Sequence, residues 1–303
     1  MKQLVVLGGK GGTGKTTVVA ALAHLMAAER RLVLADADVD APNLGLLLAP
    51  EVQYGERFTG GAEAVIDAEA CIGCGRCLEV CRFEAVAPSD GVYAVDPIAC
   101  EGCAACAYEC PVQCISMEPA EDGEWYRSKT RLGDFVHARL LPGQENSGKL
   151  VSLVRHQAQV LAQEQGIEWV LVDGSPGIGC PVIAAVTGSD LALMVAEPTV
   201  SGQHDLDRVL GVAAHFRVPA AVVINKGDIN PGRTAEIEAY CRERGLPMLG
   251  VLPYDDAAMA AMRRGRAVTE ASDGPLALAL RALWHRLRPL LGDGRAKDER
   301  KDS

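Results

Sequence analysis

The sequence predicts an α/β protein: a mostly parallel sheet with helices on both faces, interrupted by a small α+β insertion. Three observations carry this. Short apolar runs alternate with helix-period segments through most of the chain, as expected for strands buried on both faces. A glycine loop, Gly8-Gly9-Lys10-Gly11-Gly12-Thr13-Gly14-Lys15-Thr16-Thr17, separates the first strand from the first helix. Between residues 51 and 146 the alternation stops, in a stretch dense in Gly, Cys and acidic residues. The expected division is a nucleotide-binding domain over 1–50 and 147–292, an inserted unit over 62–118 joined by connecting segments 51–61 and 119–146, and a charged, disordered tail over 293–303.

Residues 4–7 form the first strand, and a helix runs from about Gly14 to Ala28. Between them Gly9 to Thr16 meets G-x-x-x-x-G-K-[ST], the phosphate-binding loop. Bare glycines let successive N–H groups turn inward around an anion, and the helix start adds its positive end. Lys15 reaches the β- and γ-phosphates, and the Thr16 hydroxyl is placed to ligate Mg²⁺. Residues 32–35 form a second strand ending in Asp36-Ala37-Asp38-Val39-Asp40-Ala41-Pro42-Asn43. Carboxylates at the carboxyl end of a parallel strand point into the ligand crevice. After the insertion come a helix over 150–163 and a strand over 169–172, which runs into Asp173-Gly174-Ser175-Pro176-Gly177. Strands follow over 191–195, 220–224 and 248–252, alternating with helices over 201–216 and 231–243. The tetrad Asn225-Lys226-Gly227-Asp228 closes the 220–224 strand, and residues 253–255 form a loop able to flank a base. A last helix over 275–288 carries an apolar stripe with a basic side, read as a helix docked on the sheet rather than on a membrane.

The totals narrow the function. A net charge of -10 argues against nucleic acid as a partner. The N-terminus enters the first strand directly and no apolar run reaches about 18 residues, so neither an export signal nor a membrane span is expected. The expected compartment is the cytoplasm. Eleven cysteines there point to metal rather than to disulfides.

Cys71, Cys74, Cys77 and Cys81 repeat as Cys100, Cys103, Cys106 and Cys110, the last followed by Pro111. Two C-x₂-C-x₂-C-x₃-C runs are the ligand pattern of a bacterial ferredoxin with two 4Fe–4S clusters, in which the fourth cysteine of each run crosses to the other cluster. Cys71, Cys74, Cys77 and Cys110 are thereby assigned to one cluster, and Cys100, Cys103, Cys106 and Cys81 to the other. Zinc sites use separated C-x-x-C pairs rather than such triplets. Cys81 is followed by Arg82 instead of proline, which loosens that turn without removing a ligand. Cys114 is expected to fill space beside a cluster, Cys180 to be buried, and Cys241 to lie in a helix core. Nine carboxylates between Asp67 and Glu118 face only Arg76 and Arg82, so a redox partner should present a basic face.

With Lys10 early in the loop, the switch-like D-x-D-x-x-x-x-N and D-x-x-P-G segments and the inserted cysteines, the chain resembles the deviant-Walker P-loop NTPases of the MinD/ParA class that carry an inserted ferredoxin domain. The resemblance implies ATPase activity. It implies that Lys10 reaches the nucleotide of a second subunit in a nucleotide-dependent homodimer, or in a heterodimer with a related ATPase. Asp38 would orient the attacking water, with Asp40 the second candidate. Asp36, Asp38 and Asp173 would act on Mg²⁺ directly or through water, the Gly177 N–H would meet the γ-phosphate, and Asn225 would read the base. The loop residues Gly9, Lys10, Gly11, Gly12, Thr13, Gly14, Lys15, Thr16 and Thr17 would bind the nucleotide. Asn-Lys-x-Asp also matches the guanine-reading tetrad, with Asp228 as acceptor, so GTP stays open beside the favoured ATP. Three roles follow: an ATP-coupled electron-transfer protein, an iron–sulfur cluster carrier or assembly ATPase, and a positioning ATPase with a redox-sensing ferredoxin domain.

Overall fold

Strand β1 (Lys2–Gly8) is buried from Gln3 onward because it lies in the middle of a sheet covered on both faces. A computed structural model describes residues 1–142 and 146–292; the tail expected over 293–303 lies outside the described residues. The elements that follow are α1 (Lys15–Ala27), β2 (Val33–Asp36), the short α2 (Leu44–Leu48) and the long β3 (Glu51–Ile66). The cysteine-rich unit contains α3 (Arg76–Val80), the hairpin of β4 (Val86–Ser89) and β5 (Val92–Val95), and α4 (Ala105–Glu109). The chain returns through β6 (Ile115–Thr130) and β7 (Gly133–Leu140). Then come α5 (Ser147–Glu164), β8 (Trp169–Pro176), α6 (Cys180–Val186), β9 (Leu191–Ala196), α7 (Val200–His215) and β10 (Ala220–Ile224). The last elements are α8 (Pro231–Glu243), β11 (Met248–Val251), α9 (Ala257–Arg263), α10 (Val268–Ala271) and α11 (Pro275–Leu287).

The main sheet has the order β11-β10-β9-β1-β8-β2-β7-β6-β3. The strands from β11 to β7 are parallel, and β6 and β3 add to the β7 edge antiparallel. Alternate residues of β1 enter the two cores: Leu4 and Val6 pack with α1, α2 and α9 to α11, whereas Val5 and Leu7 pack with α5 to α8. That is the period-2 alternation of a strand sandwiched between helical layers. The apolar stripe of α11 (Leu276, Leu280, Leu283, Leu287) is buried in the first core, as expected of a docked helix. No helix among the described residues is long and apolar enough to cross a membrane.

One expectation needs correction. Residues 51–61, and 119–130 and 133–140 within 119–146, are paired strands rather than mere connections. Residues 51–61 belong to β3, which pairs with β6 from Glu51↔Lys129 to Ile66↔Ile115, and β6 pairs in turn with β7. The cysteine-rich unit therefore sits at the far end of a ribbon continuous with the main sheet. The first half of β3 is exposed, so its residues carry no apolar alternation, and backbone pairing rather than side-chain burial holds it.

Candidate functional site

The phosphate-binding loop follows the carboxyl end of β1. Gly14 has φ +90 and caps α1, a conformation that suits glycine, and a side chain there would strike Asn225. Asn225 Nδ2 donates to the Thr13 carbonyl (2.8 Å) and Lys226 Nζ to the Gly12 carbonyl (3.1 Å), so the end of β10 pins the loop. Gly11 and Gly12 face open space, as a phosphate cradle requires. Lys15 is buried at 5% exposure, while Thr16 and Thr17 are partly exposed on the first turn of α1. The Thr13 hydroxyl is buried without a partner.

Three carboxylates gather where β2 and β8 end in register, Asp36 opposite Asp173, with Asp38 in the loop after β2 and the Lys15 charge acting on Asp38 and Asp173. Asp173 is fully buried and neither of its oxygens has a hydrogen-bond partner; Thr16 lies beside it without closing one. Burial pushes its pKa up to about 7, partly offset by the Lys15 charge. Burial, then the Asp173 charge, hold Asp36 well above the usual carboxylate range. Asp36 also accepts from the N–H groups of Asp38 and Leu44 (both 3.1 Å), which folds the 37–44 loop back on the strand end. Asp38 is buried and raised by that burial, against the opposing pull of Lys15. Asp40 is exposed, which leaves Asp38 as the carboxylate facing the loop lysine. An orphaned, buried carboxylate beside a lysine and a threonine fits a divalent cation with phosphates: the cation would restore the missing partners of Asp173.

Three candidates are engaged elsewhere in this structure. The Gly177 N–H donates to the Gly8 carbonyl (3.3 Å), so it must turn to meet a phosphate. Lys10 folds onto its own chain, 3.0 Å from Glu197 Oε2 and bonded to the Thr199 and Ser201 hydroxyls. Asp228 accepts from the Tyr254 N–H (2.7 Å) and so fastens the 253–255 loop to the end of β10.

The cysteines gather at the other end of the β3–β6 ribbon. One small cavity is lined by Cys71, Cys74, Cys77, Cys110 and Cys114. A second is lined by Cys81, Cys100, Cys103 and Cys106. Each triplet thus shares its cavity with the fourth cysteine of the other run. The two halves repeat one local structure: a left-handed residue (Gly75, φ 79; Ala104, φ 61), a five-residue helix, then an extended cysteine. Helices α3 and α4 pack together and bring Cys81 and Cys110 across. Gly102 packs on the Ala62 backbone of β3, which ties the second loop to the ribbon. Among the described residues no group of three or more His, Cys, Asp or Glu converges as a single metal ion requires. A cysteine triplet spaced by two residues with a crossing fourth cysteine is the donor set that a 4Fe–4S cluster takes. Burial works against ionisation of Cys110, but the N–H groups of Cys114, Val112 and Gln113 outweigh it and lower its pKa. Burial and the hydrogen bond to Cys110 push Cys114 up to about 12.

The nucleotide-binding domain model of the CobQ/CobB/MinD/ParA proteins matches residues 4–268. The chain belongs to this family. An uncharacterised protein of Methanocaldococcus jannaschii is 35% identical over 234 residues, covering 75% of this chain and 79% of its own length. An iron-sulfur cluster carrier protein of Pyrococcus horikoshii is 24% identical over 314 residues, covering 96% and 88%. The septum site-determining protein MinD of Pyrococcus horikoshii, complexed with Mg-ADP, matches with a TM-score of 0.60 and 17% identity over 96% of this chain and 97% of that one. At that identity the likeness is one of fold. The MinD and ParA members are P-loop ATPases, so nucleotide binding and ATP hydrolysis are the activity at family level.

Within this MinD/ParA framework, sequence reasoning missed Glu197. Its carboxylate bridges Lys10 and Lys226 (3.0 and 2.8 Å) beside the phosphate-binding loop, and these lysines lower its pKa against the opposing effect of burial. Its place at the carboxyl end of β9 was the available signal. Cys180, expected to be buried, is exposed: it opens α6, with one side against Gly148 and the other to solvent. Cys241 is fully buried in α8, as expected.

Proposed function

We propose that the chain is a Mg²⁺-dependent ATPase whose nucleotide cycle is coupled to electron transfer through two 4Fe–4S clusters in the inserted unit. The observation that carries this reading is the pair of cavities, each walled by one cysteine triplet and the crossing cysteine of the other run. Cys71, Cys74, Cys77 and Cys110 would hold the first cluster; Cys100, Cys103, Cys106 and Cys81 would hold the second. Bound there, the clusters supply one-electron chemistry at potentials set by burial and by N–H groups aimed at the sulfurs. The glycine loop, Lys15 and Thr16 bind the phosphates and Mg²⁺, with Asp36 and Asp173 acting on the ion directly or through water. Asp38 orients the attacking water. Lys10, released from Glu197, reaches the nucleotide of a second subunit, in a homodimer or in a heterodimer with a related ATPase. The acidic surface of the inserted unit suits an electron donor or acceptor with a basic face.

The coupling has a physical route. The Leu140 N–H at the end of β7 donates to the Val39 carbonyl (3.1 Å), within the loop that carries Asp38. Strand β7 pairs with β6, and β6 with β3, which carries the cysteine unit. Movement of the Asp38 loop on hydrolysis therefore has a hydrogen-bonded ribbon to act on. The test is ATP turnover of anaerobic, cluster-loaded protein in the oxidised and the dithionite-reduced state. A changed rate supports coupling. Equal rates, together with cluster potentials that ignore nucleotide, would sink it.

A second reading, a cluster carrier, is favoured by the Pyrococcus horikoshii relative named as one. Two ligand sets complete within one chain suit resident clusters better, whereas rapid transfer of iron and sulfide to an apo-protein would favour the carrier.

A further inference from the structure

The two cysteine runs fold alike, and one difference between them places an extra sulfur. Three residues after the crossing cysteine each run has a non-glycine residue with positive φ, Glu84 (φ 55) after Cys81 and Gln113 (φ 53) after Cys110. The following residue turns back into the cavity. In the second cavity it is Ala85; in the first it is Cys114. The turn is closed by the Gln113 N–H on the Cys110 carbonyl (3.2 Å), and the Cys114 carbonyl is tied to the Asp67 N–H (2.8 Å). Cys114 Sγ consequently lies 3.5 Å from Cys110 Sγ. Cys110 is partly exposed, so a small oxidant can reach the pair.

We propose that Cys110 and Cys114 form a reversible disulfide that withdraws one ligand from the first cavity and so gates its loading with iron and sulfide, while the second cavity, with alanine at the matching position, has no such gate. The gating rests on the reading of Cys110 as a cluster ligand. The oxidant is a low-molecular-weight disulfide. The Cys110 thiolate attacks one of its sulfurs, the external S–S bond breaks and one small thiol leaves. The Cys114 sulfur then attacks the mixed disulfide at Cys110, forms the internal S–S bond and expels the second small thiol. The two protein thiols lose two electrons, the external disulfide gains them, and both protons end on the released thiols.

The test uses the full chain, stripped of iron anaerobically and incubated with oxidised glutathione. Free thiols are blocked with N-ethylmaleimide and mapped by mass spectrometry, and a parallel sample is reconstituted with iron and sulfide. Cys110 and Cys114 should escape alkylation together, in a peptide lighter by two hydrogens that dithiothreitol restores. The oxidised wild type should take up about half the iron of the reduced protein. Cys114→Ala, treated alike, should stop at the Cys110–glutathione mixed disulfide, because no second sulfur remains to expel the small thiol. Alkylation of Cys110 as complete as that of Cys81, or a Cys71–Cys114 link instead, would overturn the pairing; the wild-type map alone decides this if the variant does not fold. An oxidised wild type that takes up as much iron as the reduced protein would overturn the gating. A reduced wild-type chain that takes up no iron would sink the cluster reading and the gating with it, while the thiol map still reports on the disulfide.

Discussion

Replacing Asp173 by Asn should stabilise the protein without nucleotide while abolishing Mg²⁺-dependent ATP hydrolysis. The carboxylate is fully buried, and neither oxygen has a hydrogen-bond partner. Burial raises its pKa from 3.8 to about 7. At about 1.4 kcal/mol per pH unit, that is on the order of 4 kcal/mol lost to holding the charge in the folded state. The sign follows from proton uptake. Below pH 3.8 both folded and unfolded chains are protonated and nothing is lost. Between 3.8 and about 7 the unfolded chain ionises first, so stability falls as pH rises, and above about 7 the loss is complete. A buried amide without partners still costs about 1–3 kcal/mol, so Asp173→Asn should gain a net of about 2 kcal/mol at pH 8. Urea denaturation of both proteins at a series of pH values, without nucleotide, is the assay. The variant should be ahead at pH 8, with its relative advantage shrinking steadily towards pH 4. Mg²⁺ with a non-hydrolysable ATP analogue should then stabilise the wild type more than the variant. A variant less stable than wild type at pH 8, or a difference that does not change with pH, would refute the reasoning.

Asn225→Ala removes the bond that pins Thr13 and should weaken ATP binding by about tenfold, near 1.4 kcal/mol, by isothermal titration calorimetry. Glu197→Gln leaves Lys10 and Lys226 without their shared carboxylate and should lower stability by about 1–2 kcal/mol, read as a drop of a few degrees in Tm. His137 on β7 is lowered to about 4 by burial, so its contribution is present above its ordinary value of 6.5 and is lost as pH falls through about 4. His137→Phe should accordingly flatten the stability curve across that window, and a curve of unchanged slope would count against it. Cys74→Ser should halve the iron taken up on anaerobic reconstitution and leave the second cluster's signal in place.

The parallel sheet was legible because its strands are short, apolar and bounded by glycine loops or carboxylates; residues 4–7, 191–195 and 220–224 fall inside β1, β9 and β10. The loop from Gly9 to Thr16 and the cysteine spacing were legible for another reason, since their chemistry fixes residue type at fixed intervals. The β3–β6 ribbon was not. The first half of β3 is exposed and carries Glu, Arg and Gly, so no period-2 apolar signal survives, and Pro119 sits within β6. The Glu197 bridge was hidden differently. It joins Lys10 to the end of β9, far apart in sequence, and depends on strand order rather than on any local pattern. The exposure of Cys180 was not legible because burial of a helix's first residue depends on what covers that end, and here Gly148 covers one side only.

The measurement that bears most directly on the coupled ATPase is a potentiometric titration followed by electron paramagnetic resonance, on anaerobically reconstituted protein with and without Mg²⁺-ATP. The reduced chain should give two interacting 4Fe–4S signals, with a midpoint potential or line shape that moves when nucleotide binds. Signals that ignore nucleotide would contradict the coupling, and a reconstituted protein with no cluster signal would contradict the assignment of the cysteines.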